Sequence, residues 1–452
     1  MLTGPLTFVS LAALLLPSWN HDLTSQAPRV LTGADHGKRA LAALSVFANF
    51  AFAKVVILAA PIAIAAITVP SIYGRIEVAY AFALLLAGLP LSAPLHGISH
   101  RYLMGEQPIV ADQTYALLVA MCGASLLGVV IGYLLGALGL VLMAFAMVGV
   151  TAFQVCAAFL LRMWGRLYLM AWTEGVTLLF VGLLAGVGMF LTTERPLAIF
   201  IGGLACLSLL GFVVATVGLA RTLQPGLRGR LEAAARLGLP MCAFGLFNTW
   251  TGVCGRVMVG LLSLEDAAAY GVAFRISGAG LGVFTLATTV LWNRIYTAST
   301  AAADRMLAGF LALVAVLAFL VSLVGPWLVR SLDLLALDRR SLEVAPVILP
   351  LVALQMFFWA GQSFLLPRIN RTGSAGKSLG PMIVIAAAGA AVILVAHLLG
   401  AGLVVLCWLL ALYSAAFFFG TLLVLARNDK AHRAVAWTGA VGGALLAIEA
   451  ML

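Results

Sequence analysis

The stretch Gly238–Ala298 reads GLPMCAFGLFNTWTGVCGRVMVGLLSLEDAAAYGVAFRISGAGLGVFTLATTVLWNRIYTA. Two long apolar segments flank a short acidic turn at Glu265–Asp266, and each segment carries one arginine. Arg256 lies 9 residues before Glu265, and Arg275 lies 9 residues after Asp266. If both segments are helical, the two cations stand about 14 Å from the turn, at ~1.5 Å rise per residue. A lone charge that deep in hydrocarbon costs about 2.5–3.5 kcal/mol even on a lenient insertion scale. Two of them at one level should therefore face protein or water, and something negative.

Composition sets the class. Of 452 residues, 63% are hydrophobic and only 9% charged, with a mean hydropathy of +1.13. A globular surface needs far more charge than this, so the chain is expected to be an all-α polytopic membrane protein. The net charge of +10 does not point to nucleic acid, because the basic residues fall singly or in small groups between apolar runs. The six cysteines all lie inside apolar runs, without CxxC or Cys/His metal spacing. They are small core residues, and no metal is implied.

Outward from the opening stretch, apolar runs of spanning length cover 41–67, 78–98, 113–135, 137–160, 167–190 and 197–220, then 238–262, 269–292, 307–330, 344–366, 379–399 and 402–426. About twelve core transmembrane helices follow, in two six-helix lobes over 41–220 and 237–426. A basic cytoplasmic linker, 221–236, joins them, and its end RGRLEAAARL has helical composition suited to the membrane surface. Residues 1–40 add an apolar segment and a polar stretch, and 427–452 a basic stretch and a further apolar run. The apolar start has no basic residue before it, unlike a secretory signal.

Loop charge orients this array. With the segment before the first span in the cytoplasm, 18 of the 26 Lys and Arg fall on that side, five outside and three (Lys54, Arg256 and Arg275) within spans. That bias follows the positive-inside rule. The halves also echo each other: VPSIYGRIEVAY around Tyr73–Gly74 matches LEDAAAYGVAFRI around Tyr270–Gly271 at an offset of 197. Repeats separated by six spans enter the membrane from the same side, so they are parallel, as in a two-lobed transporter.

Gly238-Leu239-Pro240, Arg256 to Leu262 and Ala269 to Ile276 resemble the seventh and eighth spans of the polysaccharide flippases. These are the Wzx-type members of the multidrug/oligosaccharidyl-lipid/polysaccharide exporter superfamily. Tyr73-Gly74, Gly88-Leu89-Pro90 and the run His96 to Leu103 are similar to the matching second span and its cytoplasmic exit. The resemblance implies flipping of a polyprenyl-pyrophosphate-linked oligosaccharide across the cytoplasmic (inner) membrane by alternating access. Membrane lipid and the polysaccharide polymerase machinery are the expected partners. Family members often place an acid just before the seventh-span arginine. Here that place is Gly255, so Arg256 is expected to lack a local countercharge and to call for an exogenous anion.

Four ionisable residues fall inside the expected spans: Lys54, Glu174, Arg256 and Arg275. One carboxylate neutralises one cation, so at least two positive charges are expected to stay unbalanced unless Lys54 is deprotonated by desolvation. Such a cavity suits an anion. Arginine's planar fork fits phosphate oxygens and lysine supplies a point charge. Arg256, Arg275 and Lys54 are thus the expected diphosphate contacts. Asn49, Asn248, Gln355, Trp359 and Gln362 are candidates for sugar hydroxyls, although polar side chains also join helices in membranes. Glu174 is the candidate for proton or sodium coupling. Arg294 reads as a headgroup anchor at a helix end, and His397 as a core residue. No cofactor is implied: GAGLG (Gly278 to Gly282) lacks the spacing of a nucleotide loop, and the sequence holds no Walker A motif. No Ser/His/Asp constellation supports an enzyme. Two other readings compete. A cation-coupled drug exporter would want net acid in its core. A polysaccharide polymerase or ligase would usually carry a large extracytoplasmic loop, and the longest here, near Arg330 to Glu343, is short.

Overall fold

Lipid offers no partners to backbone N–H and C=O groups, so a chain this apolar can satisfy them only within helices or a closed barrel. The computed structural model describes residues 36–103, 111–137, 139–164, 166–191, 196–280, 295, 298–331, 339–372, 375–428 and 432–451. Among these residues the ordered elements are helical. They are α1 (His36–Ile67), α2 (Pro70–Leu103), α3 (Ala111–Leu134), α4 (Gly139–Met163), α5 (Leu167–Leu191), α6 (Pro196–Thr222), α7 (Leu227–Leu262), α8 (Leu264–Gly280), α9 (Thr300–Ser331), α10 (Arg339–Thr372), α11 (Ala375–Leu398), α12 (Leu403–Asn428) and α13 (Arg433–Met451). The protein is an all-α polytopic membrane protein.

A described helix coincides with each of the twelve expected core runs, the eighth only as far as Gly280. Among the described residues nine helices are long and apolar enough to cross a membrane: α2, α3, α4, α6 and α9 to α13. Shorter apolar stretches lie in α1 (Val55–Ile67) and α5 (Trp172–Gly188). The two helices left over are α7 and α8, which carry Arg256 and Arg275. The terminal run after 433 forms α13, which meets the same length and apolarity test. The apolar segment at the N-terminus lies outside the described residues.

Two boundaries differ from the sequence expectation, for physical reasons. The second span was expected from 78, yet α2 starts at Pro70. Proline is pre-organised for the first helical position, where its missing N–H costs nothing. The polar string SIYGRIE is therefore helix rather than loop. The end of the basic linker was expected to be helical along the membrane surface; its last ten residues are helical and continuous with the span that follows, as the N-terminal part of α7. Pro240 sits inside that helix.

The chain forms two compact units. One comprises the described residues within Met1–Ile57 and Ala93–Gly238, the other those within Leu58–Ser92 and Leu239–Leu452. In the first unit, α3, α4, α5 and α6 pack as neighbours. Ser208 Oγ donates to the Ala146 carbonyl at 3.0 Å and Ser125 Oγ to the Phe145 carbonyl at 2.7 Å, both facing α4. In the second unit α10 is the hub, packed against α8, α9, α11, α12 and α13. Its apolar window is 78% buried, against 11% for α11, so α10 is the internal helix and α11 a peripheral one. The glycines of α13 let it approach closely: added Cβ atoms at Gly439, Gly442 and Gly443 would overlap Phe418, Phe357 and Phe358. Asp304 on α9 accepts the Ala434 and Val435 amides at 3.2 and 3.3 Å and so fastens the start of α13.

Candidate functional site: two arginines on one carboxylate

The turn between α7 and α8 is a single residue, Ser263. Its amide bonds back to the Val259 carbonyl at 2.9 Å, and its hydroxyl accepts the Asp266 amide at 3.2 Å. That is an N-cap, and Glu265 and Asp266 in the first turn of α8 complement the positive end of the helix dipole. A turn this tight sets α7 and α8 side by side and brings Arg256 and Arg275 to one level, as their equal spacing from the acidic pair implies.

Both meet Glu77 of α2, which belongs to the same unit. Arg275 makes a two-pronged contact, with Nε donating to Glu77 Oε1 at 3.1 Å and Nη2 to Oε2 at 3.2 Å. Arg256 Nη1 donates to Oε2 at 3.2 Å. The Tyr73 hydroxyl, one helical turn before Glu77, donates to Oε1 at 2.9 Å. The carboxylate thus receives four donors, which fills its acceptor positions. All three side chains are sequestered: Glu77 is 2% exposed, Arg256 3% and Arg275 9%. Aromatic faces complete the lining. The Arg256 guanidinium lies 4.5 Å from the Phe274 ring centroid, and Tyr80 is 5.7 Å from Arg256 and 5.4 Å from Arg275. At these distances cation–π attraction adds to the stabilisation of the two cations.

Glycine makes the approach possible. A Cβ at Gly74 would overlap the Leu264 carbonyl, and one at Gly271 would press on Glu77 and Tyr73. The Tyr-Gly pairs that echo each other in the sequence thus lie at one contact between α2 and α8. A Cβ at Gly260 would overlap Val78, so α7 approaches α2 in the same way. Gly255 has its own reason. The Tyr270 hydroxyl occupies the space that a side chain there would need. That hydroxyl donates to Gln355 Oε1 at 2.6 Å.

This geometry corrects two sequence expectations. Arg256 does not lack a countercharge, because Glu77 supplies it from α2 instead of position 255. The carboxylate meeting the arginines is also not Glu174, which lies on α5 in the other unit. With two guanidiniums and one carboxylate, the trio keeps a formal charge of +1 rather than the larger excess expected. Arg256 Nε is buried with no hydrogen-bond acceptor among the described residues.

The other sequence candidates are distributed as follows. Asn49 on α1 accepts the Trp172 indole N–H at 3.0 Å within the first unit. Asn248 joins α7 to α10: its carbonyl accepts the Trp359 indole N–H at 2.9 Å, and its Oδ1 accepts the Ser363 hydroxyl at 2.7 Å. Gln355 is taken up by Tyr270 and by a long contact to Cys254 Sγ at 3.9 Å. Gln362 is wholly buried, with neither amide atom hydrogen-bonded among the described residues. The Lys54 side chain and Arg294 lie outside the described residues. His397 closes α11, in its last turn. Glu77 was the residue that sequence reading missed. The available signals were Pro70 as a helix start and the four-residue spacing of Tyr73 and Glu77. Among the described residues no group of His, Cys, Asp and Glu is arranged to hold a metal ion. The chain matches no profile of a known protein family and no curated protein.

Proposed function

We propose that the protein carries an anionic, lipid-linked cargo, a polyprenyl-pyrophosphate-linked oligosaccharide, across the cytoplasmic membrane by alternating access between its two lobes. The observation that carries this reading is the Glu77–Arg256–Arg275 trio, two cations on one carboxylate buried inside a membrane protein, with no second counter-charge bonded to them among the described residues. A net charge in that setting is costly, and an incoming diphosphate removes the cost by pairing with it. The resemblance of the α7–α8 segment to polysaccharide flippases supports the same reading. The competing drug-exporter reading needs a carboxylate available to a cationic drug. The Glu77 carboxylate is already saturated by two guanidiniums and a hydroxyl, which counts against it.

Deleting the gene should leave lipid-linked oligosaccharide stranded on the inner leaflet and the cell surface short of its glycan. Normal outer-leaflet supply in the deletion strain would refute the assignment. Glu174 is the proposed coupling residue, and Glu174→Gln should alter the proton or sodium dependence of transport. Unchanged gradient dependence would return Glu174 to a packing role.

A further inference from the structure

Arg256 and Arg275 converge on an anion that the protein itself provides. Glu77 has no acceptor capacity left, whereas the trio itself is one negative charge short and Arg256 Nε has no hydrogen-bond acceptor among the described residues. The two guanidiniums together carry one more charge than the carboxylate they share. A second anion placed beside Glu77 would face like-charge repulsion in a poorly screened interior. Entry of an anion is therefore an exchange and not an addition.

We propose that Glu77 is a resident counter-anion which the diphosphate of the cargo displaces from Arg256 and Arg275, and which returns as the cargo leaves. The inference rests on the diphosphate reading of the cargo given above. Tyr73 is one turn from Glu77 on the same helix, so the hydroxyl–carboxylate pair moves as one and the departing carboxylate keeps a donor. Arg256 is on α7 and Arg275 on α8, so displacement also cuts the ionic tie between α2 and both helices. Their glycine contacts remain. Glu77 in this account holds affinity down: it competes with the cargo and lets the site release what it binds. A site with both arginines and no competitor would bind more tightly and turn over more slowly.

The test uses the purified full-length protein in detergent, with inorganic pyrophosphate as the probe and binding followed by calorimetry. Glu77→Gln removes the competing charge and should tighten pyrophosphate binding by about tenfold or more, while slowing translocation of lipid-linked cargo. Glu77→Asp keeps the charge but is one methylene too short to span both guanidiniums, and it should fall between wild type and Gln. Pyrophosphate should also raise the melting temperature of Glu77→Gln more than that of wild type. If Arg256→Ala abolishes binding but neither Glu77 variant binds more tightly than wild type, Glu77 is a fixed brace and the exchange is wrong. If pyrophosphate binds neither wild type nor the Glu77 variants, the diphosphate reading of the cargo fails first. Should Glu77→Gln not fold, Glu77→Asp decides alone: binding no tighter than wild type overturns the exchange.

Discussion

Asp112 with Arg230, and Glu77 with Arg256 and Arg275, are both ion clusters between helices, and they differ in arithmetic and in burial. In the first unit Asp112 sits in the first turn of α3 and takes the Gln113 amide at 2.8 Å. Arg230 on α7 donates to its other oxygen and reaches the Pro225 carbonyl as well. One acid meets one base, and the arginine is 22% exposed. In the second unit two bases meet one acid and all three are hidden. A balanced, partly exposed pair is complete and needs only to hold helices together. An unbalanced, sequestered trio leaves a charge unanswered, and an anionic cargo would answer it.

The largest difference between the two clusters should appear in export. Arg256→Ala and Arg275→Ala should each lower delivery of surface polysaccharide by about 100-fold or more, the scale of truncating one partner of a buried charged contact. Both variants should still reach the membrane. Arg230→Ala should leave export near wild type, and lysine at 256 or 275 should do less harm than alanine. Equal loss in Arg230→Ala and Arg275→Ala would erase the distinction.

Stability should separate the clusters next. Glu77→Ala leaves two guanidiniums buried against each other and should cost about 3–5 kcal/mol. Asp112→Ala gives up a hydrogen bond and a partly exposed partner, for about 1–2 kcal/mol. Chemical unfolding in detergent would rank them, and the reverse order would contradict the burial argument. A smaller effect should divide two glycines of α2. A side chain at Gly74 meets the Leu264 backbone, whereas nothing lies within 4 Å of a Cβ at Gly88. Gly74→Ala should therefore destabilise by about 1–3 kcal/mol as overpacking does, and Gly88→Ala should be neutral or better in the same unfolding series. The smallest is Tyr73→Phe, which removes one of four donors to Glu77 and should cost about 1 kcal/mol. A loss as large as that of Glu77→Ala would mean that the hydroxyl, not the arginines, secures the carboxylate.

Much of this architecture was legible in the residues. Apolar runs of spanning length marked the helices, because lipid leaves the backbone no other solution. The equal spacing of Arg256 and Arg275 from the Glu265–Asp266 turn placed both at one depth, and they do share one partner. The partner itself was hidden. SIYGRIE reads as loop by hydropathy, since a window average cannot tell a polar turn from a helix whose polar face is buried against two arginines. Gly255 misled in another way: the position looked like a missing acid, but its emptiness makes room for Tyr270. The polar residues of α7 and α10 were picked out by type and by their place along the spans. Sequence could not say that Asn248, Trp359 and Ser363 spend their hydrogen bonds on each other, because that depends on which helices touch.

The unanswered positive charge is tested most directly by reconstituting the protein in vesicles. The quantity to follow is the rate at which a polyprenyl-pyrophosphate-linked oligosaccharide, loaded on one leaflet, becomes accessible to a membrane-impermeant reagent on the other. Wild type and Arg230→Ala should move the lipid at similar rates, while Arg256→Ala and Arg275→Ala should match protein-free vesicles. Translocation by both arginine variants at the wild-type rate would contradict the account.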